Sequence, residues 1–177
     1  MTAERSVTMK GLRSRTVWIR IGLCLAVVTL MIAAATSDRV MAGIQGGLAR
    51  VTGGVLALLG QQPVVDGNTV FTARFGITVV TACTGLFLTG LFLVAVLAFP
   101  ATVPAKLIGA GLGVGGIFLL NVVRLVSLYF IGVHFPGILD TVHLLVWQSL
   151  LIVFAVVLWM VWAGTWGRSK WEAEAAT

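Results

Sequence analysis

The sequence predicts an all-α polytopic membrane protein, with about four transmembrane helices, an interfacial amphipathic helix and a short extracytoplasmic β-hairpin. Three observations predict it. Of 177 residues, 59% are hydrophobic and only 10% are charged, whereas soluble domains are about half apolar and about a quarter charged. The apolar residues gather in runs long enough to cross a hydrocarbon core of about 30 Å at about 1.5 Å per residue. Several Lys and Arg flank these runs, as the positive-inside rule expects. The net charge of +6 is therefore read as membrane topology, and nucleic acid is not an expected partner.

Residues 1–16 form a basic, cytoplasmic N-terminus with Arg5, Lys10, Arg13 and Arg15. Val17 to Thr36 is the first span. It is long for a signal-peptide core, so a retained anchor is expected despite the Ala33-Ala34-Ala35 end. The second span covers about residues 80–99, with its apolar body from Cys83 to Phe99 closed by Pro100 and Pro104. The third runs from Leu107 to Ile131 and the fourth from Val142 to Ala163, ahead of a cytoplasmic tail over residues 164–177 that carries Arg168 and Lys170. Residues 17–163 are expected to form a single transmembrane domain.

Val40 to Gly60 could cross by length, but Arg50 stands at its middle, where a central Arg costs roughly 2.5–3.5 kcal/mol on insertion. Val40, Ile44, Gly47 with Leu48, Val51 and Val55 recur at helical spacing, against polar Arg39, Gln45, Arg50 and Thr52. An amphipathic helix over 40–60, lying in the outer interface, is the expectation. Charge counting agrees. Four spans put seven basic residues inside against three outside, and five spans would put five against four. Between Pro63 and Val80 the pattern changes. Val64-Val65, Asp66-Gly67-Asn68 and Thr69-Val70-Phe71 read as strand, turn and strand, and Ile77, Val79 and Val80 prolong the β-branched character. In the third span Gly109/Gly113 and Gly111/Gly115 are small-x-x-x-small pairs that permit close helix approach.

The polar residues inside this apolar frame carry the functional signal. Arg124 lies about 10 Å in from the outer end of the third span at about 1.5 Å per residue. It reads either as a functional group facing the protein interior or as an Arg snorkelling to the headgroups. Asn121 shares its helix face, which favours an inward polar seam. Cys83 sits in Thr81-Ala82-Cys83-Thr84-Gly85. With Thr81 as N-cap it would occupy a first helical turn, where free N–H groups and the helix dipole favour a thiolate. A small buried hydrophobe is the bland reading. His143 opens the fourth span and suits proton transfer, though alone it also fits an unpartnered interfacial histidine. His134 is the competing histidine, placed in an outer loop from His134 to Thr141. Cys24 lies mid-span, too deep to bridge Cys83. Neither cysteine lies in a metal-ligand spacing, a zinc site through Cys83, the histidines and Asp140 finds no support in spacing, and no cofactor is expected.

In the four-span topology Cys83, Arg124 and His143, one from each of three spans, fall near the same outer boundary. A thiol, an imidazole and a guanidinium at one level suit acyl transfer. The order and side of Ala82-Cys83-Thr84-Gly85, Asn121-x-x-Arg124 and His143 resemble the exosortase/archaeosortase family of membrane transpeptidases, over roughly Val64 to Trp162. The length is that of a short-form member of the exosortase H type, holding only the catalytic half of longer relatives. The resemblance implies a catalytic set of Cys83 as nucleophile, Arg124 as oxyanion or substrate stabiliser and His143 as general acid/base, with Thr84 and Asn121 in support. It implies a bacterial cytoplasmic (inner) membrane location and an extracytoplasmic active site. The implied partners are membrane lipid and exported proteins whose C-terminal signal is a short motif, a transmembrane helix and a basic tail. Such a protein would be cut at the motif and transferred to an acceptor. The rival expectation is a non-enzymatic polytopic protein, such as a transporter or complex subunit, in which Arg124 and Asn121 form a structural or ion-path seam.

Overall fold

In the computed structural model residues 2–167 are described, with side chains from Val17 onward. The basic residues of segment 1–16, and Arg168 and Lys170 of the tail, therefore lie outside the residues whose side chains are described. In chain order the elements are α1 (Thr2–Thr36), α2 (Asp38–Leu58), β1 (Val64–Asp66), β2 (Thr69–Phe71), β3 (Gly76–Thr78), a 3-10 turn (Thr81–Cys83), α3 (Leu86–Ala98), α4 (Val103–His134), the short α5 (Leu139–Thr141), a π-helical segment (Val142–Trp147) and α6 (Gln148–Thr165).

Among the described residues, three stretches are long and apolar enough to cross a membrane: Val17–Thr36, Val103–His134 and Pro136–Thr165. The helix Leu86–Ala98 is apolar but shorter, and α2 with its two arginines is not among the three. Their outer faces keep large apolar side chains exposed, including Trp18, Leu30, Leu119, Leu145 and Val153, a surface that lipid can solvate and water cannot. Helix α4 begins earlier than Leu107 because Pro104, expected to close the preceding span, instead occupies its first turn, where its missing N–H costs nothing. It also ends later than Ile131, so His134 belongs to the helix and not to a loop.

The long α4 is the axis of packing. α2, α3 and α6 all lie against it, and α1 runs along α3 and touches α2. One apolar core joins Phe92 and Val96 of α3, Ile117 of α4 and Ala155 and Trp162 of α6. There Trp162 is fully buried and its indole N–H donates to the Ala105 carbonyl, while Lys106 Nζ donates to the Leu97 carbonyl. A second core lies toward the other end of α4 and joins Leu48, Ala49 and Leu56 of α2, Val70 of β2, Val79, Cys83, and Val122, Leu125 and Tyr129 of α4.

The two glycine pairs of α4 part company. A methyl at Gly109 would meet the Trp162 ring at 2.6 Å, and one at Gly113 the Phe92 ring at 2.2 Å, whereas Gly111 and Gly115 face open space. Gly113→Ala is therefore expected to cost about 1–3 kcal/mol by overpacking. That would lower the melting temperature in detergent by about 2–4 °C for each kcal/mol. Gly111→Ala should leave it unchanged or slightly raised. Equal melting temperatures for the two variants would overturn this packing account.

The expected hairpin is the first two strands of a three-stranded antiparallel sheet in the order β1-β2-β3. Asp66 pairs with Thr69 across a two-residue turn in which Gly67 adopts φ 56°, the left-handed value that such turns require at their first position. The third strand, Gly76–Thr78, pairs Ile77 with Val70. Tyr129 ties the sheet to α4. It is fully buried, and its hydroxyl lies 2.8 Å from Thr72 Oγ1 and 3.2 Å from Gln61 Oε1.

Helix α2 is amphipathic, but its buried stripe is Met41, Leu48, Ala49, Thr52 and Leu56, while Val40 and Val51 are exposed. That stripe packs on α4 and the sheet. The face expected to meet the lipid interface is therefore rotated, and much of it is a protein contact.

Candidate active site

Cys83 does not sit in the first turn of a helix capped by Thr81. It ends a separate 3-10 turn, Thr81–Cys83, and α3 begins only at Leu86. Gly85 makes the break with φ 69°, a conformation costly for residues with a Cβ. The turn is braced on three sides. Thr84 Oγ1 donates to the Thr81 carbonyl at 2.7 Å and accepts from the Leu86 N–H at 3.3 Å. Gln45 Nε2 donates to Thr81 Oγ1 at 3.3 Å. Asn121 Nδ2 donates to the Cys83 carbonyl across from α4. Thr84 and Asn121 thus hold the backbone that carries the thiol, and Gln45 of α2 adds a brace that sequence reading missed.

His143 approaches from the other side. It stands on the π-helical segment Val142–Trp147; such widened turns often occur at functional sites. Its Nε2 lies 3.3 Å from Cys83 Sγ, within reach for a thiol–imidazole hydrogen bond. The structure does not bring His134 to this place. That ring is exposed, and its Nδ1–H donates to the Phe130 carbonyl of its own helix at 2.9 Å. Cys24 remains a free thiol on α1, with Sγ 3.8 Å from the Val94 carbonyl of α3.

Arg124 faces the protein interior and does not snorkel: it is 2% exposed, beside Asn121 at 1% and Cys83 at 4%. Its Nε is buried without a hydrogen-bond partner among the described residues, as is Asn121 Oδ1. Arg124 interacts electrostatically with Cys83 and with His143. A buried guanidinium is costly unless an opposing charge compensates it. Here Cys83, on the neighbouring turn, is a group placed to interact with it electrostatically. Asp140, on α5, is a neighbour that sequence reading weighed only as a metal ligand. It interacts electrostatically with His143 and lines the same cavity. Its spacing of three residues from His143 was the available signal.

A cavity of about 200 Å³ opens onto these groups, lined by β3, Cys83, Leu125 and Leu128 of α4, Leu139, Asp140 and His143. A thiol beside an imidazole, with a buried cation in electrostatic reach and an apolar cleft in front, can perform nucleophilic acyl transfer.

Comparison with known protein families finds one described as transmembrane exosortase, matching residues 7–163. No curated protein and no solved structure matches the chain.

Proposed function

The chain belongs to the transmembrane exosortase family, and from that premise we propose that it is a membrane-embedded cysteine transpeptidase. It cleaves C-terminal sorting signals of exported proteins and transfers those proteins to an acceptor. The observation that carries this reading is the 3.3 Å approach of Cys83 Sγ to His143 Nε2, with a buried Arg124 whose Nε has no hydrogen-bond partner among the described residues.

In this mechanism His143 accepts the thiol proton and Cys83 attacks the carbonyl carbon of the scissile peptide bond. Negative charge develops on the carbonyl oxygen, and the buried Arg124 guanidinium stabilises it. The intermediate collapses, the C–N bond breaks, and His143 returns the proton to the leaving amine. The C-terminal fragment departs and the exported protein remains as a thioester on Cys83. An amine or water then attacks that thioester, with His143 taking its proton, and frees the thiol. Thr84 and Asn121 keep the Cys83 turn in place throughout.

The proposed topology has four spans, Leu86–Ala98 being the shortest. The N-terminus is cytoplasmic and the site lies at the extracytoplasmic face of the bacterial cytoplasmic membrane. The substrate's own transmembrane helix would lie along the face of α4 bearing Gly111 and Gly115, which open space fronts. Co-expression with exported reporters carrying varied C-terminal signals tests the reading. At least one reporter should lose its C-terminal helix, at a single site fixed by mass spectrometry of the new C-terminus. Persistence of every intact reporter across a library of motif, helix and basic-tail signals would turn the reading toward a non-enzymatic membrane subunit.

A further inference from the structure

We infer that the free edge of β3 is the main-chain binding site for the substrate: an extended polypeptide segment adds to the sheet as a fourth strand along Gly76–Thr78, and this presents its scissile carbonyl to Cys83. The inference rests on the reading of Cys83 as the nucleophile.

β3 ends the order β1-β2-β3, so among the described residues only one of its edges is paired. Hydrogen bonds show which residues use that pairing. The Thr72 N–H donates to the Phe75 carbonyl and the Val79 N–H to the Asn68 carbonyl, and between them Ile77 stands opposite Val70. Antiparallel ladders alternate bonded and non-bonded pairs. Phe75, Ile77 and Val79 therefore face β2, and the N–H and C=O groups of Gly76 and Thr78 point to the free edge. Both residues are exposed. Neither is Pro or charged, the residue types by which edge strands are commonly closed to pairing.

That edge lies against the site: Gly76, Ile77 and Thr78 line the cavity that Cys83 and His143 also line. A substrate chain that leaves its transmembrane helix near the membrane boundary loses intrahelical partners where water is scarce, and unpaired backbone groups are costly there. Strand addition supplies partners to alternate residues and reads main chain instead of side chains. Two outward residues make a short ladder, enough to orient a bond for attack while leaving the product free to depart.

The test uses the purified full-length protein in detergent and an N-acetyl Val-Ala-Val-Ala peptide ending in a vinyl sulfone. Cys83 Sγ adds to the terminal alkene carbon, the π pair moves to the carbon beside the sulfone, and that carbon takes the proton from His143; nothing leaves. A series of analogues replaces one amide at a time by an ester, which deletes a single N–H donor. Labelling of Cys83 is followed by mass spectrometry. Esters at alternate positions should slow labelling roughly five- to tenfold, the worth of one hydrogen bond, and those between should stay within about twofold. Rates that show no alternation, whether uniform or uniformly reduced, would overturn strand addition while leaving Cys83 as the nucleophile. An all-amide probe that labels Cys83 no faster than methyl vinyl sulfone does would overturn both.

Discussion

Cys83→Ala is expected to abolish processing of exported reporters while the protein still accumulates in the membrane. Removing the nucleophile of an acyl-transfer enzyme costs on the order of 10⁶-fold in rate, which reads as no product. The fold should survive, because the change deletes one sulfur from a site at the edge of a core held by Leu48, Val79, Val122 and Leu125. The bracing bonds use the backbone and neighbours of Cys83 and not its sulfur: Asn121 reaches its carbonyl and Thr84 its own turn. Cys83→Ser should be nearly as inactive, since a hydroxyl beside an imidazole is a weaker nucleophile than a thiol. Immunoblotting for the released C-terminal helix, with membrane-fraction levels as the control, checks both variants. Normal cleavage by Cys83→Ala would remove the acyl-enzyme mechanism.

Arg124→Lys should lower the processing rate about 10²–10³-fold, the loss seen when a single oxyanion donor is removed, with the charge retained. Lys carries a point charge on a flexible stem and lacks the planar fork of donors. It therefore cannot reproduce the buried Nε donor, which has no hydrogen-bond partner among the described residues. If Arg124 served only as a positive charge for the Cys83 sulfur, Lys would restore most of the activity, so initial rates of reporter cleavage at matched expression separate the two roles. Arg124→Ala is the weaker test, because it removes the charge and empties a buried site together, and so confounds stability with catalysis.

Much of the architecture was legible because its causes are local or compositional. Long apolar runs, bounded by Arg, Lys and Pro, announce membrane-crossing helices whatever they pack against. Asp66-Gly67 announces a tight turn because a left-handed position favours glycine. The gathering of Cys83, Arg124 and His143 could be anticipated from alternation alone: successive spans bring the start of one helix, the end of the next and the start of the last to one level. The contacts among them could not. The π-helical turn under His143, the 3-10 turn under Cys83 and the brace from Gln45 arise from tertiary fit and leave no periodic mark in the chain.

Helix α2 shows where a hydrophobicity reading fails. Its contact face is built from small residues as well as large ones. A methyl on Gly53 would strike Val65 at 2.6 Å, and one on Gly46 would lie 3.3 Å from the Gly67 carbonyl oxygen. Ala49 and Thr52 are fully buried in the same face. Close packing selects for small volume there, so two apolar positions of the expected stripe, Val40 and Val51, lie on the exposed side. The third strand was equally faint. Ile77, Val79 and Val80 carry β-branched character, but a three-residue strand beginning with a glycine does not announce its partner.

Helix α3 has 13 residues, which at about 1.5 Å per residue reaches only about 20 Å, against a hydrocarbon thickness of about 30 Å. In the proposed topology the bilayer must dimple to meet it, since hydrophobic mismatch is relieved by local thinning. The depression would form beside the short helix, at the end where Gly85 and Cys83 precede it. Headgroups and solvent would then come nearer the mouth of the cavity beside Cys83, which shortens the path of a polar acceptor to the thioester. On this view the thickness of the host membrane acts as a rheostat on the second half of the reaction.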